Sequence, residues 1–252
     1  MSLILTQINK YGIIFAADSN ITVDEAETKR GKKIFEIPRL KAALCLAGAY
    51  SIGNERMDRW MTFYIKKNKS NSIKEFTENL CNVLEKEITI EEKGGGCIMH
   101  ISGFVKKNSI IHPEMWCISN MNLLPNGDYK VRDKFEFSED FWSRDWKKNN
   151  IKTLFTSPTG YGYQYYINGF TAGRVSFNML NEYLNNFLTQ IWSCQNYKFR
   201  PPQNIKEYEN LARFTMGFIA LMFNLSDYLS KYIGGKIFSY VIKSPNPKWL
   251  TQ

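Results

Sequence analysis

The stretch GIIFAADSNIT, from Gly12 to Thr22, carries an apolar run onto a carboxylate, Asp18, flanked by Ser19 and Asn20. A charge at the end of a buried strand needs a partner, because an unpaired ionised group is costly to remove from water. Such a pair either takes part in acid–base chemistry or clasps a turn, and a lone Asp-Ser reads by default as the clasp. Other reactive side chains form weaker patterns. Cys45, Cys81, Cys97, Cys117 and Cys194 make no C-x-x-C pair, and with only His100 and His112 beside them they do not spell a zinc site. The thiols read as core residues and the histidines as structural ones. Gly94, Gly95 and Gly96 lack the Lys-Ser/Thr and the strand-to-helix order of a phosphate loop, and read as a helix stop and turn.

The elements around Asp18 are short strands. Leu3–Asn9 and Gly12–Ala17 have hairpin spacing across Lys10-Tyr11, and KKIFEI and KAALCLAG supply a second pair, at Ile34–Ile37 and Ala42–Leu46. Two helices follow. SIGNERMDRWMTFYIKK spaces Ile52, Met57, Trp60, Met61 and Tyr64 by threes and fours, and SIKEFTENLCNVLEKE opens on a capping pair, Ser72 and Glu75. Strand patterns return between Cys97 and Phe137 and in the run up to YGYQYYINGF. They give way to a helical segment from Val175 to Trp192 and a long helix from Ile205 to Lys231, capped by Asn204 and Glu207. The final strand lies in GGKIFSYVIK. The aromatic run before Val175 reads as packing or subunit contact, and Trp142 and Trp146 as packing of an insertion against the core.

With 252 residues, 44% of them hydrophobic, the chain is expected to form one domain. No apolar run approaches the roughly 18–20 residues of a membrane span. MSLILTQINK has no charged region, apolar stretch and cleavage site in signal-peptide order, so a cytoplasmic location is expected. The formal charge of +9 is spread along the chain as KRGKK, KKNK and isolated Lys-Lys pairs. It reads as a solvated basic surface rather than a nucleic-acid site.

GIIFAADSNIT, then KKIFEI, then ALCLAGA, with IGGKI near the end, resemble proteasome β-type subunits and bacterial proteasome-like proteins, members of the N-terminal nucleophile hydrolases. The likeness runs from Ser2 to about Lys243, is most specific in the first fifty residues, and leaves an extra helical stretch near 176–202. The resemblance implies an α+β fold, a four-layer αββα sandwich of two antiparallel sheets between helical layers. It also implies a threonine-type endopeptidase with serine as nucleophile, acting on peptides or unfolded proteins. Ser2, ten positions before Gly12, takes the nucleophile's place once Met1 is removed, since only a free α-amine can serve as its base. Asp18 matches the family aspartate, and Lys33 matches the lysine it orients. Period-two alternation puts Lys33 on one face with Phe35 and Ile37. Gly48 matches the oxyanion donor, and Ser157, ahead of Thr159, the further serine.

The resemblance calls for no metal or organic cofactor, and implies a homo-oligomeric ring whose ATPase partner the residues do not specify. The chain departs from the family where an Asp and a Ser precede Gly-Gly: Ser230 and Ile233 stand there, with Asp227 three residues upstream of Ser230. A non-catalytic ring subunit and a small-molecule amide hydrolase are the alternative functions.

Overall fold

Strands β1 (Leu3–Asn9) and β2 (Gly12–Ala17) are buried at every position, because both of their faces are covered. The computed structural model describes residues 2–23, 27–53, 55–107, 110–124, 129–139, 163–169, 177–194, 200–227 and 232–245. β1 and β2 pair antiparallel from Ile4 opposite Ala17 to Asn9 opposite Gly12. The next strands are β3 (Asn20–Val23), β4 (Glu27–Arg30), β5 (Ile34–Ile37), β6 (Ala42–Gly48), β7 (Ser51–Ile52) and β8 (Glu55–Arg56). Helices α1 (Met57–Lys67), α2 (Ile73–Glu87) and α3 (Ile90–Gly94) precede β9 (Cys97–Lys107), β10 (Ile110–Leu123), β11 (Tyr129–Glu139) and β12 (Tyr163–Gly169). α4 (Phe177–Ser193), α5 (Ile205–Asn224) and β13 (Phe238–Lys243) complete the described elements.

Alternation along the first hairpin sends its side chains to two cores. Leu3, Leu5, Ile14 and Ala16 pack on Tyr208, Ala212, Met216 and Ile219 of α5. Ile4, Ile8, Ile13 and Phe15 face the other way, onto Ala43, Cys45, Ile98 and Met115. A third core joins α1 and α2 to the far side of β5, β6 and β9, through Met57, Met61, Phe76, Leu80 and Leu84. Each such fully buried aliphatic or aromatic side chain contributes about 1.5–3 kcal/mol.

The sheet pattern corrects the expected four-layer αββα sandwich. Among the described residues, strands are divided among four separate antiparallel sheets, ordered β12-β1-β2-β13, β11-β10-β9-β6-β5, β3-β4 and β7-β8, and not two. Polar residues after Asp18 and after Tyr50 fold back on themselves as two-stranded ribbons instead of extending a larger sheet. The helices, five among the described residues and one of them only five residues long, do not make two continuous outer layers.

Local signals hold in part. Ser72 accepts from Glu75 N at 3.1 Å, but the Glu75 carboxylate reaches Asn71 N, so the reciprocal half of the capping box is displaced by one residue. A complete capping box is formed by Thr89 with Glu92, on α3. α1 starts at Met57, later than its apolar spacing suggests, because Ser51–Ile52 and Glu55–Arg56 form β7 and β8.

Candidate active site

Asp18 follows the last residue of β2, and its side chain is wholly buried. Four donors meet its carboxylate. Oδ1 accepts from Leu3 N and from Lys33 Nζ, each at 2.8 Å. Oδ2 accepts from Gly234 N at 3.2 Å and Asn20 N at 3.3 Å. Lys33, just ahead of β5, is equally buried and also donates to Asn20 O. Burial pushes the Lys33 ammonium down from its ordinary value, while the charge and hydrogen bond of Asp18 pull it back up. The partner required by the opening stretch is therefore Lys33, reached from across the β3–β4 ribbon.

Because one oxygen, Asp18 Oδ1, holds both Lys33 Nζ and Leu3 N, those nitrogens lie no further apart than twice 2.8 Å. The peptide joining Ser2 to Leu3 is thus held beside the cation. Ser2 itself is 2% exposed. A return bond, from Asp18 N to Leu3 O at 3.2 Å, closes the hairpin end.

Gly48 ends β6 at φ +104° opposite Cys97, and an added Cβ would stand 2.1 Å from Gly96 O. Only glycine fits this corner, so sterics alone account for it. Leu46 N donates to Lys33 O at 3.0 Å, which brings β6 alongside Lys33, and Gly48 lies two residues, about 7 Å, further along the strand. Ser157, Thr159 and Ser230 lie outside the described residues, as do Met1, Trp142 and Trp146. Asp227 is exposed, and Ile233 is fully buried in the core beneath α5. An apolar residue at that position serves packing.

Sequence reasoning missed the part played by the segment just ahead of the closing strand β13. Gly234 N binds Asp18, and Lys236 N donates to Ser19 Oγ at 2.9 Å. Gly235, at φ +75°, leaves room for this: a Cβ there would be 2.4 Å from Ser19 Oγ. The paired glycines of IGGKI were the available signal. A cleft of about 660 Å³ opens beside Asp18 and Lys33, but Ser2 and Gly48 do not line it.

A second polar cluster lies between the two larger sheets. His100 Nδ1 is 3.0 Å from Thr6 Oγ1, Nε2 is 2.6 Å from Asn168 Oδ1, and Thr6 Oγ1 is 3.5 Å from Cys45 Sγ. With Asn168 Oδ1 as acceptor, Nε2 carries the proton and Nδ1 accepts from Thr6, so the ring is neutral and bonded on both sides. Burial holds His100 down to about 4 and pushes the Cys45 thiol up to about 12. This bears on stability. The unfolded imidazole takes its proton near pH 6.5, the folded one only near 4, so its contribution is complete above pH 6.5 and is lost as pH falls toward 4. From pH 7 to 4.5 the parent is expected to lose about 2–3 kcal/mol that His100→Gln does not lose. Urea denaturation of both proteins at the two pH values measures it, and parallel losses would refute it.

The sequence matches no family model and no curated protein. The resemblance to proteasome β-type subunits accordingly rests on the residues described above.

Proposed function

We propose that the chain is a proteasome-like peptide hydrolase whose nucleophile is Ser2, exposed as the N-terminal residue by removal of Met1. The observation that carries this reading is the shared oxygen of Asp18, which ties a buried Lys33 cation to the Ser2–Leu3 peptide. Four donors satisfy Asp18, three backbone N–H groups and Lys33 Nζ, and so hold the carboxylate that fixes the ammonium.

In the proposed reaction the free α-amine of Ser2 takes the proton of Oγ–H while Oγ attacks the substrate carbonyl. The Lys33 charge favours the alkoxide form of the nucleophile. The carbonyl π pair moves onto oxygen, where Gly48 N–H would hold the negative charge. Collapse expels the amine half of the peptide, which receives the proton from the α-ammonium. The same amine then activates water to release the acyl group.

The burial of Ser2 and of Ile233 favours a second reading, a non-catalytic ring subunit. Exposed Tyr183 and Phe187 on α4, with Phe214, Leu221 and Met222 on α5, support assembly in either case. Native mass spectrometry tests both parts together. The subunit is expected to lack one methionine, since a small second residue permits its removal, and to travel as a multiple of the 29.4 kDa chain. A subunit that retains Met1 throughout would exclude this chemistry and leave the second reading. A monomer alone would exclude the ring.

A further inference from the structure

The cleft beside Asp18 continues, through Lys32, Arg56 and Asp58, into a second cleft of about 600 Å³ on the outer side of α1. Six exposed cations line this trough: Arg30, Lys32, Arg56, Lys236, Arg59 and Lys66. Its only exposed or half-buried acids among the described residues are Glu36 and Asp58, and Asp58 is taken by Arg56 at 2.6 Å. The other five cations form no ion pair among the described residues. Their backbone is fixed in advance. Gly31 N donates to Ser19 O at 3.0 Å, Tyr50 Oη donates to Lys32 O at 2.6 Å, and Arg56 Nη2 reaches Arg30 O at 3.4 Å. A preorganised cluster of like charges in a concave, partly apolar setting raises the local concentration of anions.

Shape selects the kind of anion. The walls of the cleft include Ile34 and Glu36 of β5 and Phe238, Ser239 and Tyr240 of β13. β5 and β13 are edge strands of their respective sheets among the described residues. An edge strand presents backbone donors and acceptors that suit an extended peptide and have no counterpart in a phosphodiester chain. Phe238, half exposed, adds an apolar contact. Glu36 and Asp58 would repel a continuous run of phosphates but tolerate carboxylates set at alternate residues.

We infer that this trough binds an extended acidic peptide segment, its backbone added to the β5 or β13 edge and its carboxylates on Arg30, Lys32 and Lys236. Ser2 does not line the trough, although Asp18 and Lys33 do. Binding is therefore measured with the Ser2→Ala variant, in which turnover by the proposed nucleophile cannot consume the peptide, and the outcome does not depend on whether Ser2 is a nucleophile.

The test is fluorescence anisotropy with a rhodamine-labelled peptide of about ten residues that alternates Glu and Val, a length that spans an edge strand. The Glu→Gln version of the peptide is expected to bind at least about tenfold more weakly, as is the parent peptide at high salt. The combined variant Arg30→Gln, Lys32→Gln, Lys236→Gln should lose at least about tenfold in affinity with its melting temperature unchanged, since all three side chains are exposed. Lys74→Gln with Lys86→Gln, which line neither cleft, should bind as the parent does. Equal binding of the Gln peptide, undiminished binding by the triple variant, or equal loss in the control variant would each overturn the proposal. A single-stranded oligonucleotide of equal charge that binds more tightly than the peptide and is lost in the same triple variant would replace the peptide with nucleic acid.

Discussion

Lys33→Ala is expected to reduce hydrolysis of fluorogenic peptides by on the order of 10²–10⁴, because the base and the activated nucleophile both depend on this cation. The fold should survive. Removing Lys33 leaves the Asp18 carboxylate with three backbone donors, Leu3 N, Asn20 N and Gly234 N, so the charge is not abandoned. Ser2→Ala should be as inactive as Lys33→Ala. Ser2→Thr should retain turnover, since hydroxyl and amine are both kept. Circular dichroism of each variant separates loss of chemistry from loss of structure. If Ser2→Ala hydrolyses the peptides as fast as the parent, the N-terminal nucleophile is wrong, and the trough and the second reading are what remain.

Removing the other half of the pair has a different cost. Asp18→Ala strands a buried ammonium, and it also leaves the backbone N–H groups of Leu3, Asn20 and Gly234 without their acceptor. Breaking a buried pair in this way costs about 3–5 kcal/mol. For a chain of this size that lowers Tm by on the order of 10 °C. Lys33 retains Asn20 O, which is too little to hold a charge away from water. The asymmetry is the informative quantity. Asp18→Ala should lose both stability and turnover, whereas Lys33→Ala should lose turnover with little change in Tm. Thermal melts of the two variants beside the parent measure it. Equal melting temperatures for parent and Asp18→Ala would show that the carboxylate does not organise this end of the sheet.

Much of the local structure was legible in the residues. The hairpin of β1 and β2 forms at the boundaries its turn and apolar runs suggest, and α2 begins at the cap supplied by Ser72. Such signals depend on neighbours a few residues apart, at period two in strands and near 3.6 in helices, which a single chain displays directly. The pairing of Asp18 with Lys33 was suggested by resemblance, and the geometry brings the two side chains together.

Other features were decided by contacts distant in the chain. Alternation at the hairpin does not say that β12, some 160 residues later, closes one side of β1 and β13 one side of β2. Nothing in the residues after Asp18 or after Tyr50 says that they fold into ribbons of their own, which is why four sheets form among the described residues where two were expected. The Thr6, Cys45, His100 and Asn168 cluster draws on four strands, so no stretch of sequence contains it. The same holds for Gly234, whose N–H reaches Asp18 across 216 positions. Types and spacings of residues thus determined the strands, the caps and the presence of a carboxylate in need of a cation. Which groups satisfy that carboxylate, and how deeply Ser2 is buried beside it, were decided only when sheets and helices packed, because burial and hydrogen-bond partners belong to the folded whole.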